Sequence, residues 1–63
     1  MNIKTERKKL KLTQPELAEL CGIGLNTLLN IEKKGVYCTN TRTLKKIADT
    51  FGVPITALFE EEE

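Results

Sequence analysis

The sequence contains no histidine, no tryptophan and a single aspartate, Asp49, with two cysteines and three aromatic residues, Tyr37, Phe51 and Phe59. Each scarcity excludes something. Two cysteines without a histidine cannot supply the four ligands of an ordinary structural zinc site, so no metal is expected. Cys21 reads as a small core residue and Cys38 as an exposed loop thiol, and a disulfide between them is not expected in a reducing compartment. Without histidine or a glycine-rich phosphate loop, the chain lacks most groups from which a catalytic centre is assembled. An enzyme is the weakest reading, and neither a cofactor nor a small-molecule ligand is expected. No apolar run approaches the roughly 20 residues of a membrane span. Met1-Asn2-Ile3-Lys4 does not open a signal peptide, so a cytoplasmic protein with no membrane partner is expected. With so few aromatics, the 40% of apolar residues must come mainly from Leu, Ile, Val and Ala, which suits a small helical bundle. Sixty-three residues make one domain, near the lower limit at which a single core holds a fold unaided.

Net charge is also scarce, at +1, but it is unevenly spread. Four of the nine acids are the final residues Glu60, Glu61, Glu62 and Glu63, and the rest of the chain carries ten basic residues against five acidic ones. A basic body at residues 1–59 and an acidic tail at 60–63 suit a domain that meets a polyanion.

The most structured signal lies at residues 14–33, QPELAELCGIGLNTLLNIEK. Thr13 and Glu16 form a capping box, a hydroxyl three residues ahead of a carboxylate, each able to satisfy the other's free backbone N–H. A helix therefore begins near Gln14, with Leu17, Ala18, Leu20 and Cys21 as its apolar side, and Gly22 ends it. Ile23 plugs the corner, Gly24 serves as the next N-cap, and Leu28 with Ile31 forms the inward side of a second helix through Lys33. Small Ala18 lets the second helix cross the first closely. This is a helix-turn-helix pattern.

The stretches TQPELAELCGIGLNTLLNIEKKG and TLKKIADTFGVPITALF resemble the phage repressor and Cro type of helix-turn-helix domain, the XRE family, over residues 3–59. That resemblance implies an all-α, five-helix lambda-repressor-like DNA-binding domain. It also implies a role for Arg7, which falls on the inward side of the first helix with Ile3 and Leu10. An arginine at this position in the family pairs with a glutamate near the end of the recognition helix, here Glu32.

Around the motif, residues 3–11 read as the first helix, with a basic outer side of Lys4, Lys8, Lys9 and Lys11. Lys33-Lys34-Gly35 reads as a helix end, with cations in the last turn and glycine at the stop. The loop at 36–39 has no lysine or arginine of the kind relatives use to hold phosphates. Thr39 or Asn40 caps a fourth helix at 41–51 with Leu44, Ile47, Ala48 and Phe51 on one side, and Gly52 ends it. Val53-Pro54 then presets a short fifth helix, whose Ile55, Leu58 and Phe59 close the core and also offer part of a dimer contact.

At about 100° per residue, Leu25, Asn26, Leu29, Asn30 and Lys33 lie opposite Leu28 and Ile31. An asparagine amide can bond adenine N6 and N7 with its two ends, and a leucine can lie on a thymine methyl, so this surface predicts A·T-rich half-sites. The expected contacts to double-stranded DNA are Gln14, Leu25, Asn26, Thr27, Leu29, Asn30, Lys33 and Lys34. The reading is a small bacterial or phage transcriptional regulator, repressor or Cro-like, acting as a homodimer. One alternative stays open at this point, because two exposed leucines one turn apart also fit a docking patch for a partner protein.

Overall fold

The computed structural model describes residues 1–60. Four α-helices follow one another: α1 (Ile3–Lys9), α2 (Gln14–Cys21), α3 (Leu25–Lys34) and α4 (Thr41–Phe51). A 3-10 turn, Val36–Cys38, sits between α3 and α4, and a second, Ile55–Phe59, is the last described element. The fold is all-α.

Local chemistry sets the helix starts. The Asn2 side-chain oxygen accepts from the Thr5 N–H at 3.0 Å, and Asn40 does the same for Thr43 at 2.9 Å. At α2 the capping box is complete: the Thr13 N–H donates to Glu16 Oε1 at 2.9 Å, and the Glu16 N–H to the Thr13 hydroxyl at 3.3 Å. The ends of α2 and α4 share one device. Gly22 and Gly52 adopt φ of 70° and 69°, left-handed values that cost a Cβ-bearing residue energy. The following N–H groups, of Ile23 and Val53, then fold back onto the carbonyls of Ala18 and Ala48, each at 3.0 Å.

The aliphatic core gathers Ile3, Leu17, Ala18, Cys21, Leu28, Ile31, Val36, Leu44, Ile47, Ala48 and Leu58, with Leu12, Ile23, Phe51, Val53, Ile55 and Phe59 half-buried around it. Leu17, Leu28, Ile47 and Leu58 are fully enclosed. The Met1 ammonium donates to the carbonyls of Ala57, at 3.1 Å, and Glu60, so the two ends of the described chain meet. Among the described residues no helix is long and apolar enough to cross a membrane. Cys21 is buried and Cys38 exposed, both as free thiols.

Several expectations need correcting. The first helix stops at Lys9 rather than Lys11, because Lys11 takes φ of 59° and its N–H bonds back to the Lys8 carbonyl at 3.0 Å. Leu10 thereby leaves the inward stripe and is 55% exposed. Leu20 is 61% exposed. On a helix turning about 100° per residue it lies roughly 110° from the centre of Leu17, Ala18 and Cys21, too far round to share their contact. The fifth element is a 3-10 helix, held by i to i+3 bonds from Ala57 N–H to Pro54 O (3.0 Å) and from Glu60 N–H to Ala57 O (3.3 Å). Five residues behind a proline are too few for an α ladder, and a three-residue repeat aligns Ile55 with Leu58. Leu58 belongs to the protein's own core, so it has no surface to offer a dimer contact. Of the acidic tail, residues 61–63 lie outside the described residues.

Candidate nucleic-acid interface

α3 is the element around which a site can be built, and its two sides are constructed differently. Inward, Leu28 and Ile31 are buried to 0% and 2% exposure, on a helix that packs against α2 and the 3-10 turn Val36–Cys38. Close approach is possible because Ala18, nearly fully buried, stands where a larger side chain would push α3 away.

Glu32, on the next residue, is fixed by three donors. Arg7 Nε reaches Glu32 Oε2 at 2.9 Å and Arg7 Nη2 reaches Oε1 at 3.2 Å, a two-pronged ion pair with side chains only 9% and 4% exposed. Gln14 Nε2 donates to the same Oε1 at 3.1 Å, and Arg7 Nη1 donates to the Leu12 carbonyl at 2.8 Å. One carboxylate thus ties α1, the start of α2 and the end of α3 together. Among the described residues no buried side-chain polar atom lacks a partner, as a network in low dielectric requires.

Outward, Leu25 and Leu29 remain 41% and 36% exposed, and Asn26, Asn30, Lys33 and Lys34 are exposed beside them. No hydrogen bond or ion pair within the described chain engages the side chains of Asn26, Asn30, Lys33 or Lys34. Thr27 is half-buried, turned toward the flank of the helix. Gly24 caps α3 without a side-chain bond, so the first backbone N–H groups of α3 have no side-chain acceptor there. Lys33 and Lys34 occupy the last turn, where cations complement the helix dipole.

Of the sequence-predicted contacts, Leu25, Asn26, Leu29, Asn30 and Lys33 share this one surface, Lys34 lies at its edge and Thr27 lies off it. Gln14 is half-buried, with one amide hydrogen committed to Glu32. That bond was not foreseen. The sequence carries no signal for it, because the direction in which the Gln14 amide turns is set by how α2 and α3 pack. The loop after α3 also holds a surprise. Tyr37 is 80% exposed, yet its ring lies 5.3 Å from that of Phe59 at 46°, beside a cleft of about 390 Å³ lined by Met1, Ile3, Val36, Leu58 and others.

Glu16 and Cys21 are shifted in opposite directions. The Thr13 backbone N–H, and secondly its hydroxyl, hold the Glu16 carboxyl below its usual 4.5. Burial pushes the Cys21 thiol up, against a smaller opposing bond from Thr50.

Comparison with known proteins agrees with this geometry. A family model described as helix-turn-helix matches residues 3–58. The chain is 38% identical over 61 residues to the cryptic phage CTXphi transcriptional repressor RstR of Vibrio cholerae, a match covering 97% of this chain and 54% of that protein. The chain therefore spans about half the length of the curated relative it matches. No solved structure matches. The match over most of the chain, with α2, the Gly22 corner and α3 in place, means that the chain belongs to the XRE-type helix-turn-helix family of DNA-binding regulators.

Proposed function

We propose that this protein binds duplex DNA sequence-specifically and regulates transcription by doing so, with α3 lying in the major groove. The observation that carries the reading is the outward side of α3, where two asparagine amides and two lysines stand exposed and, among the described residues, uncommitted on a helix otherwise anchored by Leu28, Ile31 and Glu32. Helices of this motif read base edges from the second helix, and an asparagine one turn from another suits successive adenines. Lys33 and Lys34 supply phosphate neutralisation. Gln14 keeps one amide hydrogen beyond its bond to Glu32, and that hydrogen is our candidate for a phosphate contact. Repression is supported by the relative, which is named a transcriptional repressor.

A single half-site offers few contacts, so the protein acts as a homodimer on sites about 34–36 Å apart along one face of the duplex. With Leu58 enclosed, half-buried Ile55 and Phe59 form the candidate contact edge. Sedimentation that finds only monomer on every bound duplex would remove the dimer.

Selection from a randomised duplex library tests the main claim. The expected result is one enriched, A·T-rich half-site. A library returning no motif, together with a partner protein whose binding is lost in Leu25→Ala and Leu29→Ala, would move the assignment to protein docking.

A further inference from the structure

Two exposed leucines on a surface otherwise fit for hydrogen bonding call for a reason. At about 100° per residue, Leu25 and Leu29 form one row along α3, and Asn26 and Asn30 form a parallel row about 100° further round, with Lys33 between them. The leucines keep 41% and 36% of their surface in water, so each presents an apolar patch to solvent that the core does not cover.

In the major groove each A·T pair offers two different edges. Adenine presents N7 and the N6 amino group, while thymine presents O4 and its C5-methyl. The amide row suits the first edge. The leucine row suits a group that asks for no hydrogen bond, and among the unmodified bases only the thymine methyl is such a group. A leucine seated on the cytosine amino group, or on guanine N7 and O6, would displace water from a polar atom and return nothing.

Resting on the DNA-binding reading above, we propose that the Leu25–Leu29 row recognises the C5-methyl group of pyrimidines and not thymine as a base. The binding site then senses methylation. Uracil, which pairs as thymine does but lacks the methyl, is disfavoured, and 5-methylcytosine, which carries the methyl on a different base, is preferred over cytosine. Each methyl seated on a leucine contributes about fourfold in affinity, the weight of one buried methyl group.

The test uses the full chain and the duplex selected from the library, resynthesised with deoxyuridine at each thymine in turn. Wild-type protein should lose about fourfold at one or two thymines per half-site. Leu25→Ala and Leu29→Ala should each lose that sensitivity at its own thymine. Thermal melting should show both variants folded as the wild type is, since surface substitutions of this kind scarcely change stability. Where cytosine replaces the sensitive thymine, 5-methylcytosine should regain about fourfold over cytosine.

Three results would overturn the proposal: a fully deoxyuridine operator bound within twofold of the thymine one, uracil sensitivity that persists unchanged in both leucine variants, or a selected half-site without thymine. Failure of the underlying reading looks different, because then no duplex would be preferred over random DNA at all.

Discussion

The inward and outward sides of α3 obey opposite rules. Inward, no buried side-chain polar atom among the described residues is left unsatisfied: Leu28 and Ile31 are all but closed to water, and Glu32 holds three donors from two other segments of the chain. Outward, the side chains of the asparagines and the two lysines engage nothing among the described residues. The contrast teaches that the inner side exists to fix where the outer side points. A recognition helix that rocked by a fraction of a turn would bring Lys33 where Asn30 should be. Three anchors on one carboxylate, from α1 and α2, make such rocking costly.

The largest expected effect breaks the inner side. In Glu32→Gln the guanidinium of Arg7 stays buried with its counter-charge gone, and a buried pair broken on one side costs about 3–5 kcal/mol. Denaturant unfolding should show a loss of that order, against the about 0–1 kcal/mol of the exposed pair Lys45–Asp49, 3.7 Å apart with side chains 73% and 67% exposed. Equal losses at the two sites would mean that the inner side anchors nothing.

This inner side was only half legible in the sequence. Thr13 with Glu16, Gly22 and Gly52 could be read directly, because each acts on backbone within five residues of itself. Arg7 and Glu32 lie 25 residues apart, and what pointed to their pairing was family resemblance together with the side of α1 on which Arg7 falls. The bond from Gln14 was illegible, since whether an amide turns to solvent or to Glu32 depends on how α2 and α3 pack. Lys11 in a left-handed conformation, with no glycine or asparagine to announce it, hid the early end of α1 and with it the exposure of Leu10. The outward residues were easier, because helix periodicity alone places Leu25, Asn26, Leu29, Asn30 and Lys33 together.

The second effect sharpens the outer side. Asn26→Ala and Asn30→Ala should each cost about 1–3 kcal/mol in binding the selected duplex and relax the base choice, while leaving random DNA bound as before. Unfolding curves of both variants should overlay the wild type. If either loses stability instead, its side chain belongs to the inner set and the division of the helix is drawn in the wrong place.

A smaller effect tests the lysines at the end of that surface. Lys33→Ala or Lys34→Ala should weaken every duplex alike and lower the slope of log affinity against log salt by about 0.9 each, one phosphate released per lysine. Titration against specific and random duplexes at several salt concentrations would measure it. Weakening of the preferred site alone would mean that the lysine reads a base.

The smallest effect concerns the start of α2, which carries Gln14 toward Glu32. The Glu16 carboxyl is held below 4.5 by the Thr13 N–H and hydroxyl, so its charged form is favoured in the folded state. A depressed carboxyl contributes stability that is present above the unfolded value and disappears as pH falls through the folded one. Wild type should therefore melt higher than Glu16→Gln near pH 7, and the gap should close progressively as pH falls below the carboxyl's usual 4.5. Because the carboxylate is exposed, salt should narrow the gap at neutral pH, although the capping hydrogen bonds keep part of it. The inner network predicts a second consequence. If the capping box only starts α2, Glu16→Gln should leave specific DNA affinity nearly unchanged. If it also sets the angle at which Gln14 meets Glu32, affinity should fall with the pH-dependent part of the stability. Specific affinity measured for both proteins at pH 7, where the carboxylate is charged, separates these outcomes, and an unchanged affinity in Glu16→Gln would confine the capping box to folding.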